Sequence, residues 1–136
     1  MTSQTVTGND LQFTNDNLKC YAYSGDVSVS GSLTTMLEFK TNSEYLEIQL
    51  EYFGTLSQIG QSQVRNNVTF NGIDIIDNYY DASLDGGFNG WDFPTQLIVP
   101  PFTTVVVSMS QAVGSDKTMQ AVLVGKVGMP QRVGNE

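Results

Sequence analysis

Carboxylates are the only side chains in this 136-residue sequence numerous enough for acid–base chemistry. Histidine is absent, which removes the commonest general base, the usual activator of a nucleophile and the commonest metal ligand. Cys20 stands alone, so structural zinc and iron–sulfur sites fail on ligand count. There is no P-loop lysine and no strand-coupled GxGxxG. Glu47 and Glu51 lie on one face of an alternating pattern, but four extended residues separate their Cα atoms by ~13 Å. Glycosidase pairs need roughly 5–9.5 Å, so a third carboxylate such as Glu38 on an adjacent strand would have to complete the site. A solvated polar face accounts for these glutamates more simply. The sequence reads as non-enzymatic, with no catalytic residues.

The stretch 74–93 is the one place where ligand-binding residue types gather. Asp74, Asp77, Asp81, Asp85 and Asp92 are hard oxygen donors of the kind calcium uses, although their spacing does not match an EF-hand loop. Tyr79, Tyr80, Phe88, Trp91 and Phe93 are interleaved with them, and Trp91 is the only tryptophan. One reading is an irregular loop from Asp77 to Phe93 that stacks sugar rings, with Tyr79, Tyr80 and Trp91 as platform and Asp81 and Asp85 binding hydroxyls or calcium. The other is a long loop whose aromatics pack on the rim of the fold and whose aspartates are solvated turn residues. Apart from calcium in this loop, no cofactor is expected. Asn67-Val68-Thr69 fits a glycosylation sequon inside a strand pattern and is read as coincidence.

These residues must be held by strands. Tyr45–Phe53 gives the clearest alternation, with Leu46, Ile48, Leu50 and Tyr52 on one side and Glu47, Gln49 and Glu51 on the other. Val27–Ser30 and Met119–Val124 also alternate. Leu33–Lys40 reads as a strand with Leu33, Leu37 and Phe39 facing the core, and Ser24-Gly25-Asp26 as a turn. Asn71-Gly72, between Val68-Thr69-Phe70 and Ile73-Asp74-Ile75, is a strong hairpin signal. From Leu97 to Met109, two β-type runs flank Pro100-Pro101. Neither proline can donate to a ladder and each fixes φ near −65°. The chain should therefore leave one strand at Pro100, turn a rigid corner and begin another at about Phe102. No window sustains a helical period. About eight strands at the spacing of sandwiches and barrels predict an all-β, antiparallel two-sheet sandwich, jelly-roll-like. It would span residues 19–127, after an N-terminal arm at 1–18 and before a tail at 128–136. Cys20 should be a small, half-buried strand residue.

Six basic residues against fourteen acidic ones give a net charge of −8, which repels phosphate backbones and argues against a nucleic-acid partner. No apolar run is long enough to span a bilayer. The N-terminal residues show no secretory signal, so folding in a cytoplasm is expected. Charged residues make up only 15% of the chain, against roughly 25% in ordinary domains, so Ser, Thr, Asn, Gln and Gly must form most of the surface. Such an exterior suits a subunit that buries much of its surface in an assembly. Leu11, Phe13 and Leu18, isolated in the polar arm, are candidate anchors on a neighbouring subunit.

Five phrases carry a resemblance: Ser24–Val29, Thr35–Lys40, Val68–Ile73, Leu97–Val105 and Ala121–Val127. Their layout resembles small β-sandwich accessory proteins in virions of tailed bacteriophages. The resemblance implies a capsid decoration, or cement, protein that is assembled in the host cytoplasm and resides in the virion. It also implies contacts with the major capsid protein or other virion subunits, and a homo-oligomer such as a trimer. It transfers no site residues and does not separate a capsid cement from a tail or fibre component. The alternative from the residues themselves is a carbohydrate-binding module or adhesive tip that uses the 77–93 loop.

Overall fold

The computed structural model describes residues 11–13, 19–54, 63–81, 95–112 and 116–128, and leaves aside the side chains of residues 54, 63, 80 and 81. Ten strands are present among them: β1 (Gln12–Phe13), β2 (Lys19–Tyr23), β3 (Val27–Val29), β4 (Thr34–Lys40), β5 (Leu46–Gly54), β6 (Gln63–Phe70), β7 (Ile73–Asp81), β8 (Thr95–Val99), β9 (Thr104–Gln111) and β10 (Lys117–Val127). One sheet has the order β1-β2-β10-β5-β8, with β3 also on β10, and the other β4-β9-β6-β7. Every pairing is antiparallel.

The pairs nest about the Asn71-Gly72 turn. Phe70 faces Ile73, Leu50 faces Thr95, Phe39 faces Val105 and Cys20 faces Gly125. Residues roughly equidistant from the turn are thus brought opposite one another, as in one long hairpin wound into two layers. Apart from the β6–β7 hairpin, each link from β3 onward carries the chain to the other sheet. This is jelly-roll winding. Eight strands result when β2 and β3, which the expected turn at Ser24–Asp26 kept apart, are taken as halves of one strand and β1 as a two-residue addition.

Alternation fills the space between the sheets. Cys20, Ala22, Val29, Leu46, Ile48, Leu50, Tyr52, Val99, Met119, Ala121 and Leu123 enter from the first sheet. Met36, Leu37, Phe39, Val64, Val68, Val105, Val107 and Met109 enter from the second. Cys20, expected half-buried, is only 4% exposed, and burial pushes its thiol pKa up to about 11.

Three features correct the expected pattern, and the first two are local breaks in the period of two. Ser24–Asp26 does not reverse the chain. It is a bulge, because Tyr23 faces Val122 while Val27 faces Met119, leaving three residues opposite two. Gly25 takes φ +72° there, and the Ser24 hydroxyl accepts a 2.8 Å bond from the Ala121 N–H. A second bulge between Thr35 and Leu37 turns both Met36 and Leu37 inward and breaks the phase with Leu33, which is 39% exposed. The third correction concerns the loop expected from Asp77 to Phe93, of which residues 77–81 continue strand β7.

The proline corner joins β8 in one sheet to β9 in the other, as a sandwich corner should. β9 starts at Thr104, not Phe102. The corner lies beside the β4–β5 link, and Thr41, 3% exposed, ties the two together. Its N–H donates to Thr103 O at 3.0 Å. Its hydroxyl donates to Pro100 O at 2.7 Å and accepts from Thr103 N at 2.9 Å. Thr41 therefore supplies polar partners where the prolines have none to give.

Two outcomes follow. Thr41→Val keeps the shape but strands the Thr103 N–H and the Pro100 carbonyl. It should cost about 1–3 kcal/mol, read as a lower urea midpoint at unchanged slope. Cys20 should stay silent toward a thiol-specific disulfide reagent at pH 8 in the folded protein and react fully in denaturant.

Candidate functional site

Among the proposed ligand residues Tyr79, Tyr80, Asp81, Asp85 and Trp91, the structure describes the side chain of Tyr79 alone. The backbone of Tyr80 and Asp81 belongs to β7, while Asp85 and Trp91 lie outside the described residues. Tyr79 is therefore a strand residue, 60% exposed, facing Arg65 across β6–β7. The Arg65 guanidinium lies 5.4 Å from the centre of the Tyr79 ring and grips Asp77 with two bonds, Nε to Oδ1 at 2.8 Å and Nη2 to Oδ2 at 3.0 Å. One rung along, Asn67 Nδ2 donates to Asp74 Oδ1 at 3.1 Å.

These residues brace β7 against β6. The cation occupies one face of the Tyr79 ring, and both aspartates are already partnered. Among the described residues, no three His, Cys, Asp or Glu side chains converge as a metal site. Asn67 of the sequon is 4% exposed. The Arg65 guanidinium beside Asp77 holds its carboxyl below the usual carboxylate range.

The glutamates do not assemble either. Glu47 and Glu51 lie on the outer side of β5, alternating with the buried Ile48, Leu50 and Tyr52. Glu38 lies between the buried Leu37 and Phe39 on β4, in the other sheet. The two sets face opposite exteriors, because β4 and β5 cross between layers rather than pair. The three cannot form the carboxylate site considered from sequence.

In the arm, Leu11 is 5% exposed and belongs to the chain's own core, and Phe13 packs against it. Gln12 faces Tyr21 and Phe13 faces Cys20. A neighbour could reach Leu11 only if the arm left this seat. Leu18 lies outside the described residues.

The surface holds residues that sequence reasoning passed over. Ile73, Phe102 and Ile98, at 68%, 66% and 64%, are the most exposed large hydrophobic side chains among the described residues. Ile73 follows the Asn71-Gly72 turn, Ile98 precedes Pro100, and Phe102 is in the proline corner. The turn is tied to the corner strand by Asn71 N to Thr104 O at 2.8 Å and Thr104 N to Asn71 Oδ1 at 2.8 Å. All three therefore mark one end of the sandwich. Phe102 also has φ +55°, and its N–H donates to Asn42 O at 2.8 Å. A left-handed non-glycine residue costs about 1–2 kcal/mol. On the outer face of the first sheet, Tyr21, Tyr23 and Val124 are about half exposed, at 49%, 47% and 50%. Alternation with the apolar Cys20 and Ala22 was a signal that could have placed both tyrosines outside.

No protein family and no curated protein matches the chain. Among solved structures it is similar to one described as "Crystal structure of infectious bursal disease virus VP2 subviral particle", with a TM-score of 0.46 and 16% sequence identity. The match covers 81% of this chain and 33% of that chain, so it spans about a third of the neighbour's length.

Asp77→Asn should remove a contribution to stability that exists only while Asp77 is ionised. Because the folded pKa is lowered, that contribution is present above the ordinary carboxylate range and fades as pH falls through the folded value. The melting temperatures of wild type and Asp77→Asn should differ at pH 6 and converge as the pH falls toward 2.

Proposed function

We propose that this protein is a non-enzymatic virion structural protein, most specifically a capsid decoration protein that docks as an oligomer on the shell. One observation carries the reading: Phe102 is held in a left-handed backbone with its ring in solvent, at the same end of the molecule as Ile73 and Ile98. Exposing an apolar ring gains nothing in the isolated chain, and the backbone geometry costs free energy there. Both make sense if the ring is delivered to a partner. Exposed apolar groups gathered in this way mark interaction surfaces.

The corner is built to present such a group. Pro100, Pro101 and the Thr41 bonds fix the backbone before contact, so little freedom is lost on docking. The sparsely charged exterior and the resemblance of the sequence layout to phage accessory proteins support the same reading. Of the residues in the sugar-binding alternative, Tyr79 has one ring face taken by Arg65, and the side chains of Tyr80, Asp81, Asp85 and Trp91 lie outside the described residues.

The test separates docking from folding. Phe102→Gly removes the ring and suits the φ +55° backbone, so its melting temperature should match wild type or exceed it. Binding to shells assembled without this protein, followed by co-sedimentation, should fall at least about tenfold, the scale of a lost interface anchor. Wild-type protein that never sediments with shells, or Phe102→Gly that sediments like wild type, would overturn the docking assignment.

A further inference from the structure

An asparagine followed by glycine can rearrange covalently, because glycine has no side chain to shield its nitrogen from the asparagine carboxamide. The sequence holds two such pairs, Asn71-Gly72 and Asn89-Gly90, and the second lies outside the described residues. The first is the turn about which the strand pairs nest. Both of its residues are exposed. The Gly72 N–H has no hydrogen-bond partner among the described residues, and a side chain added at Gly72 would meet nothing within 4 Å. Water and hydroxide therefore reach this nitrogen freely.

The group that is held in place is the carboxamide. Asn71 N donates to Thr104 O at 2.8 Å, and in an antiparallel ladder the return bond would run from Thr104 N to Asn71 O. It runs instead to Asn71 Oδ1, at 2.8 Å, since the main chain of Asn71, at φ +52°, has already left the ladder. The carboxamide takes the place of a main-chain carbonyl. Because β6 lies between β9 and β7, its oxygen is held on the β9 side while Gly72 begins the return toward β7.

We propose that Asn71 is a latent deamidation site and that the Thr104 N–H is the catch that keeps it closed. When that bond opens, the carboxamide is free to swing over the main chain. The Gly72 nitrogen gives its proton to water or hydroxide and attacks Asn71 Cγ, the Cγ–Nδ2 bond breaks, and ammonia leaves. The resulting five-membered succinimide takes up one water. Opening at Cγ gives aspartate. Opening at the main-chain carbonyl of residue 71 gives isoaspartate, with the chain now running through the side-chain carbon. Water is the only co-reactant. Aspartate keeps an oxygen for the Thr104 N–H and tolerates a positive φ. Isoaspartate adds a methylene to the backbone of a two-residue turn, so Phe70 and Ile73 lose the register that the turn sets. This assignment does not rest on the capsid reading.

The test ages the full chain at neutral pH, folded and in guanidinium chloride, and follows the mass gain at Asn71 by tandem mass spectrometry, which separates it from Asn89. Deamidation of Asn71 should be at least about tenfold slower in the folded protein. Hydrogen exchange of the Thr104 amide in the same folded sample reports the opening of the same bond. Its protection factor should therefore equal the slowing of deamidation within about threefold. The fraction of aged protein that is labelled by an isoaspartyl methyltransferase should melt below Asn71→Asp, which retains the ordinary backbone. Folded protein that deamidates at Asn71 as fast as the denatured chain, a slowing that departs further from the Thr104 protection factor, or an isoaspartate fraction as stable as Asn71→Asp would overturn the proposal.

Discussion

Asn71 and Gly72 both sit at positive φ, 52° and 84°, the geometry of a two-residue turn whose twist matches that of the strands it joins. The fold depends on that geometry because the strand pairs nest around it. A slip of one residue at the turn would propagate outward through β5–β8, β4–β9 and β2–β10, and would exchange core and solvent faces in each pair. Asn71 also helps fix where the turn lies, since its side chain accepts the N–H that opens β9. Local turn chemistry and long-range sheet register therefore meet in one residue.

The nested winding explains why the middle of the chain was easier to read than its surroundings. β5 obeys the period of two throughout, so its faces could be assigned residue by residue. The hairpin and the proline corner carry signals in the residues themselves. Bulges carry none of comparable strength. Gly25 could mark a turn or a bulge, and only pairing with β10 on both sides distinguishes them. The bulge at Met36 turns two successive apolar residues inward and leaves Leu33 outside, a result the β9 register decides.

The candidate site was less legible for a related reason. Asp74, Asp77 and Asn78 are poor strand formers by composition, so the strand after the turn looked as if it ended near Ile75 and gave way to a loop at Asp77. What keeps the two aspartates in the strand is pairing with Asn67 and Arg65 on β6, contacts between residues that are distant from any sequence pattern of period two. Tyr79 was read as part of a stacking platform, and one face of its ring is covered by Arg65. The exposed group that matters most to the proposed function, Phe102, was read as the first residue of the strand that follows two prolines. Its exposure and its positive φ both arise from the third dimension.

The distribution of protected and unprotected surface gives the molecule a direction. β7 ends its sheet, and no described strand pairs with its outer side. An open edge of nine residues invites pairing with another chain. Here, however, β7 is bulged at Ile75, the extra residue opposite the Val68–Thr69 step of β6, and Asp74 and Asp77 line the strand. A second β7 approaching this edge would meet a broken ladder and like charges. The proline corner has no such defence: Phe102, Ile73 and Ile98 are apolar, and the backbone beneath Phe102 is pinned by Thr41 and Asn42. Extension of the sheet from β7 is thereby opposed while the apolar corner end is left open, an arrangement that suits the docking role proposed above.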